Sequence, residues 1–216
     1  MAITRRLPNS DETRDRALTV AKTKKDNTPP ADVVITANTV TRLDAMQPDL
    51  AGKMQTRGTA LQAQSQATAL ADAAKDKLRM FISHFFQTFN NAIDRAVFQK
   101  ADRAYYQLDV NSNKVPDLAS EEDLRIWGDR IITGDALRVA AGGAQMRMPS
   151  IAEFTPVYND FKLKTADQST KKDAYDNAQE AVSDLRTEVD KLILCIWDEV
   201  ETAFNDEPIT STRRKA

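Results

Sequence analysis

The sequence holds one cysteine, Cys195, and one histidine, His84, among 216 residues. A single cysteine excludes an internal disulfide, and the pair provides no cluster with the spacing of metal ligands. Four-helix di-iron sites take Glu-x-x-His pairs from two helices, so one histidine argues against that class as well. We therefore expect no cofactor and no metal site, and the lone thiol fits a reducing compartment.

Long apolar runs are also missing. No stretch approaches the ~18–20 uninterrupted apolar residues that a membrane-spanning helix needs. The opening segment, Met-Ala-Ile-Thr-Arg-Arg-Leu-Pro-Asn-Ser, has paired arginines without an apolar stretch behind them, so it predicts neither a signal peptide nor an anchor. We expect no membrane partner and a cytoplasmic location, although export by a non-classical route would leave no such mark.

A strong net charge is absent too, since the formal net charge is −2. Residues 1–47 carry eight Lys/Arg against six Asp/Glu, and residues 207–216 carry three against one, so the chain between them is acidic. Both ends could therefore dock on the acidic bodies of neighbouring copies. Neither Arg5-Arg6 nor Arg213-Arg214-Lys215 is interleaved with aromatic residues, so we expect no nucleic-acid partner.

What the sequence does contain is helical periodicity. Apolar residues recur every three or four positions in two separate runs, the spacing that lines one face of an α-helix. We predict an all-α fold: two long antiparallel helices, over about 48–107 and 150–205, form a bundle with a shorter helical segment over 120–142. The first run is Ala67, Leu70, Ala74, Leu78, Phe81, Phe85, Phe89, Ile93 and Val97, and the second is Tyr175, Ala178, Val182, Leu185, Val189, Leu192, Ile196, Val200 and Phe204.

Start signals divide the chain further. Ser10 and Ser120 each stand just before acidic residues, and Ser150 precedes Glu153 by three positions, as helix-capping serines do. Pro48 suits the first turn of a new helix, where its missing amide is not needed. The predicted domains are an extended, polar N-terminal arm over 1–37, a helical bundle over 38–206 and a basic tail over 207–216. Within the arm, a polar helix starting at Ser10 precedes a β-prone stretch.

Three features suggest chemistry without requiring it. The segment from Asp109 to Asp117 resembles the start of an EF-hand calcium loop, but Lys114 replaces the sharp-turn glycine and Ser120 stands at the twelfth position. The alternative is a turn rich in Asx residues. His84 lies at the edge of a core stripe and Cys195 lies beside one, so a structural role is predicted for both.

A resemblance covers most of the chain. Thr4-Arg5-Arg6-Leu7-Pro8-Asn9-Ser10-Asp11, Ser83-His84-Phe85-Phe86-Gln87, Trp127-Gly128 and Ala141-Gly142-Gly143 are similar to segments of a group of functionally uncharacterised, mostly helical bacterial proteins of similar length. The resemblance implies a helical fold. It implies no activity, cofactor or catalytic residue.

Self-association is the leading functional hypothesis. Val33, Val34 and Ile35 would form a short aliphatic stretch beyond the helical body, and exposed apolar stretches usually have a partner. We predict that these residues, with Arg5 and Arg6, bind other copies of a non-enzymatic structural subunit, and that deleting 1–37 leaves a folded protein. The alternative is an adaptor or cargo-like component of a larger phage-tail-like or secretion machine. An enzyme using acidic residues is a third hypothesis.

Overall fold

A computed structural model describes residues 6–204, and helices make up most of this range. No β-strand occurs within it, so the predicted all-α class is confirmed. The four α-helices are α1 (Asp11–Asp26), α2 (Ala37–Asp94), α3 (Glu121–Ala140) and α4 (Ile151–Ala203), and short 3-10 helices cover Pro30–Asp32 and Lys100–Tyr106. None of the helices in the described range combines the length and the apolar composition needed to cross a bilayer.

The predicted helix starts are found where the capping serines stand. Ser10 and Ser120 each accept a hydrogen bond from the amide of the third residue of the helix that follows. Ser150 accepts from the Glu153 amide at 3.3 Å, while the Glu153 carboxylate accepts from the Ser150 amide at 2.8 Å. After α3, Gly142 has φ 91°, a left-handed conformation that glycine adopts without a steric penalty.

Helix α2 differs from the prediction at both ends. It begins at Ala37 and contains Pro48 in its interior, so the prediction that Pro48 starts a new helix is wrong. A proline inside a helix removes one amide donor, and burial of Leu43 and Leu50 on either side of Pro48 stabilises the continuous helix. The helix also ends at Asp94 and not near 107, because Ala96 adopts a positive φ of 57°.

Two compact units divide the chain. Unit 1 comprises Met1–Gln62 and Asp173–Ala216, and unit 2 comprises Ala63–Lys172. Unit 1 therefore contains α1, the first part of α2 and most of α4. Unit 2 contains the rest of α2, all of α3 and the start of α4.

The core of unit 1 includes the N-terminal helix. Leu18 of α1 is fully buried, and it belongs to one cluster with Leu43 and Leu50 of α2 and Val189 of α4. The prediction that residues 1–37 form an arm outside the core is therefore wrong for α1. Its apolar signal is weak because Leu18 is its single fully buried apolar side chain.

The core of unit 2 is aromatic, as expected for residues 78–97. Phe85, Phe86 and Phe89 of α2 are fully buried, and each has an edge-on or near edge-on contact with Tyr106 at centroid distances of 4.9–6.0 Å. Helix α3 adds Leu124 and Ile131 to this cluster, together with other side chains. Helix α3 is continuous through Gly134 to Ala140.

Candidate self-association groove

A groove of about 720 Å³ lies on unit 1. One wall comes from the last turns of α1 and the segment that follows it, and a second wall comes from the end of α4. The larger aliphatic and aromatic side chains that line this unit 1 groove are Val33, Val34, Ile35, Ile196, Val200 and Phe204.

The first wall contains the predicted self-association residues. Ile35 packs against the core of unit 1, Val33 is half-buried, and Val34 keeps 38% of its surface exposed. These three residues lie in the irregular chain between the 3-10 helix and α2, not in a β-strand. The expectation that they extend beyond the helical body is thus corrected: they border a groove on their own unit.

Glu199 of α4 anchors this wall where α2 begins. Its carboxylate accepts hydrogen bonds from the Thr36 amide at 2.7 Å, the Thr36 hydroxyl at 3.0 Å and the Thr39 hydroxyl at 2.6 Å. Burial alone would raise the pKa of Glu199, but these hydrogen bonds outweigh it and place the pKa below its ordinary value. The ionised carboxylate therefore fixes the residue that directly follows Ile35.

The second wall follows from helical spacing in α4. Ile196, Val200 and Phe204 recur every four residues, which places them along one face of the helix. Ile196 is 8% exposed and belongs to the core of unit 1, whereas Val200 packs against that core while remaining partly exposed. The apolar surface therefore continues from the core out into the groove.

The charged residues around the groove are of two kinds. Lys22 and Lys25 both donate to Asp44, at 2.8 and 2.5 Å, and these hydrogen bonds lower the pKa of the Asp44 carboxyl. Lys24 and Asp32 also line the groove and are exposed. Neither of these two residues has a salt bridge to any other residue within 6–204. The rim thus offers one cation and one anion to an incoming chain.

The other predicted binding residues are not part of this wall. Arg6 is exposed and precedes α1, whereas the groove is formed at the other end of that helix. Arg5 and the predicted basic tail, 207–216, lie outside the described residues. The structure therefore brings together Val33, Val34 and Ile35, whereas Arg6 does not line the groove.

His84 and Cys195 lie in different units and beside different partners. His84 lines a second, smaller groove of about 360 Å³ on unit 2, beside Glu153. The Glu153 carboxylate is already occupied by the amide and hydroxyl of Ser150, both at 2.8 Å. The Cys195 sulfur lies 3.5 Å from both the Thr39 hydroxyl and the Glu199 carboxylate, so it borders the anchor of the first wall.

The segment from Asp109 to Asp117 uses its oxygens within unit 2. The Asp109 carboxylate accepts from the Asn111 amide at 2.9 Å, the geometry of an Asx turn. The backbone carbonyls of Asp109 and Lys114 accept from Arg103 at 2.7 and 3.3 Å. Two backbone carbonyls thus hold the loop to a buried arginine.

The described part of the chain, 6–204, contains no group of three or more His, Cys, Asp or Glu residues placed to hold a metal ion. Comparisons with models of protein families, with curated proteins and with solved structures found no match. Function is therefore argued from the geometry of the groove.

Two contributors to the groove were missed at the sequence level. Lys24 carries no signal of its own, because a lysine on a polar helix is ordinary. Glu199 does have a signal: Thr36 and Thr39 are spaced as a helix-capping pair, and such a start often recruits a carboxylate. The sequence could not tell that this carboxylate comes from a residue 160 positions after Thr39.

Proposed function

We propose that this protein is a non-enzymatic structural subunit that self-associates, and that the unit 1 groove is the surface that receives another copy. The observation that carries the proposal is the set of partly exposed apolar side chains, Val34 and Val200 among them, that line one groove. Apolar surface left open to water gains free energy when it is covered, at roughly 25 cal/mol per Å². The free energy gained by covering one groove is modest, but it becomes decisive when the same contact is repeated along an array.

The proposed subunit is built around α2 and α4 as a long antiparallel pair. Thr39, near the start of α2, contacts Glu199, near the end of α4, within unit 1. Thr68 of α2 contacts Gln168 of α4 at 3.4 Å within unit 2. These contacts support the antiparallel direction.

The composition of α2 supports assembly into larger structures. Its middle part buries alanines such as Ala67 and Ala71, while Leu61 and Leu70 remain about half exposed. Alanine buries little apolar area per residue, so such a helix gains stability from contacts with further helices. The proposal includes a cytoplasmic setting, in which the free thiol of Cys195 stays reduced.

Matched variants test this proposal. Val34→Asp places a charge in the groove, whereas Val20→Asp places the same charge at a 61% exposed position of α1 that does not line the groove. Sedimentation velocity over a wide concentration range should show growth with concentration for the wild type and for Val20→Asp. Val34→Asp should remain monomeric with an unchanged circular dichroism spectrum.

Two results would contradict self-association. The first is a wild type that stays monomeric at the highest concentration, which would favour the alternative of an adaptor or cargo-like component that waits for a larger machine. The second is equal assembly of Val34→Asp and Val20→Asp, which would remove the groove from the contact.

A further inference from the structure

We infer that the segment received by the unit 1 groove is residues 205–216 of a neighbouring copy. This inference rests on the proposed self-association and names the part of the second copy that enters the groove. Phe204 is the last described residue, and its side chain lines the groove. The chain that follows therefore leaves α4 at the groove itself, and twelve residues span at most about 40 Å when extended.

The charge order of this segment matches the rim of the groove. Asp206 and Glu207 come first, and the basic run 213–215 comes last. On the rim, Lys24 offers a cation and Asp32 an anion, and neither has a salt bridge within 6–204. The acidic pair is assigned to Lys24, and the basic run to Asp32.

The apolar part of the segment matches the walls. Ile209 is its one large apolar residue, and it stands between the acidic pair and the basic run. A side chain of this size suits a groove whose walls include Val34 and Val200. Pro208 disfavours helical backbone at Glu207, the residue before it, so α4 is not expected to continue through this segment.

A neighbouring copy is favoured over the same copy by the direction of α4. Ile196, Val200 and Phe204 follow one another along the wall, so the chain runs along the groove until it reaches 205. Placing Ile209 back beside Val200 of the same copy requires a reversal within four residues. Entry into the next copy requires none, and a head-to-tail contact of this kind forms rings or filaments.

Disulfide cross-linking of the full chain tests the inference. The background is Cys195→Ser, which removes the natural thiol and keeps a hydroxyl near Glu199. In this background, Val34→Cys with Ile209→Cys should give a ladder of covalent dimers and larger species under mild oxidation. Each single-cysteine variant can form nothing larger than a covalent dimer. The matched control is Val20→Cys with Ile209→Cys, and it should give no ladder.

Mixing the two single variants adds a direct test of the second copy. Val34→Cys chains mixed with Ile209→Cys chains should form a mixed covalent dimer, identified by mass spectrometry. In the double variant, Lys24→Glu should lower the ladder yield about two- to fivefold, as expected for an exposed ion pair. Adding Asp206→Lys and Glu207→Lys should restore it.

The outcomes separate this inference from the proposed function. A disulfide within one chain would place the segment in its own groove and overturn the inference. No cross-link in a protein that still grows with concentration would overturn the inference alone, and self-association would stand. No cross-link in a protein that is monomeric at every concentration would overturn both. An unchanged yield in Lys24→Glu would overturn the assignment of the acidic pair.

Discussion

Asp11 and Arg186 are 175 residues apart in the chain, yet the Asp11 carboxylate accepts two hydrogen bonds from the Arg186 guanidinium, at 2.8 and 2.9 Å. Arg57 of α2 donates a further hydrogen bond to the same carboxylate at 2.8 Å. Asp11 is only 5% exposed. A single acidic residue in the first turn of α1 thus joins this helix to both long helices within unit 1.

The Asp11→Asn variant should destabilise unit 1. Removing the charge leaves Arg186 without its anion in a partly buried site and leaves Arg57 with only the exposed Glu12. We expect a loss of about 1–3 kcal/mol in the free energy of unfolding. Urea denaturation followed by circular dichroism measures this change.

Glu12→Gln is the control for the Asp11 variant. Glu12 also pairs with Arg57, at 3.2 Å, but its side chain is 67% exposed. Its substitution should change the urea midpoint much less. Equal losses for the two variants would mean that burial of Asp11 is not what makes its ion pairs matter.

Stability should fall in acid because of the same carboxylate. The hydrogen bond from Arg186, followed by that from Arg57, holds the pKa of Asp11 below its ordinary value of 3.8, although burial opposes this. A lowered pKa in the folded state stabilises the protein fully above 3.8. Below that pH the unfolded state takes up protons first, and the stabilisation is lost as the pH falls through the folded pKa.

Urea midpoints measured between pH 2 and pH 6 check this dependence. The wild type should lose stability steeply below about pH 4, and Asp11→Asn should show a shallower decline. Glu199 has a lowered pKa as well and contributes a decline of the same sign. Parallel curves for wild type and variant would exclude Asp11 as a source of the acid sensitivity.

Local signals made the helices predictable. The hydroxyls of Ser10, Ser120 and Ser150 each accept a hydrogen bond from the amide three residues later. Both partners are therefore visible in a short stretch of sequence. The apolar face of α4 was likewise visible from its spacing, and Val182, Val189 and Leu192 of that face are fully buried.

Contacts between distant parts of the chain were not predictable in this way. Helix α1 was expected to lie outside the core because it is polar. In the structure it is attached in part by ion pairs such as Arg14 to Asp190 at 2.8 Å. The residues near Arg14 in the sequence give no indication that Asp190 is its partner. For the groove, the sequence indicated Val33 to Ile35 as a contact surface, but it did not indicate that the end of α4 lines the same groove.

Leu18→Ala should test whether α1 belongs to the core. Leu18 is fully buried in the cluster of unit 1, so truncation leaves a cavity and should cost about 2–5 kcal/mol. Val20→Ala, at a 61% exposed position of the same helix, should change stability by less than about 0.5 kcal/mol.

Deleting 1–37 is expected to unfold unit 1, contrary to the sequence-based expectation. A deletion variant with the wild-type urea midpoint would support the original prediction that residues 1–37 lie outside the core.

Millimolar calcium should leave the melting temperature unchanged. The Asp109 carboxylate already accepts a hydrogen bond from the Asn111 amide, and Lys114 and Ser120 stand where the EF-hand loop needs a glycine and a glutamate. Differential scanning fluorimetry with calcium and with magnesium measures the effect. A rise specific to calcium that disappears in Asp109→Ala would show that the loop binds the ion after all.

Two glycine-to-alanine substitutions should change stability in opposite directions. At Gly134 in α3, an added Cβ would lie 2.7 Å from the Tyr105 carbonyl oxygen, and backbone cannot move aside easily. We expect a loss of about 1–3 kcal/mol for Gly134→Ala. At Gly58 in α2, an added Cβ meets nothing within 4 Å, so Gly58→Ala should gain about 0.5–1 kcal/mol from helix propensity. Urea midpoints of both variants in one series provide the measurement. A stabilised Gly134→Ala would mean that α3 and the Lys100–Tyr106 helix do not pack this closely.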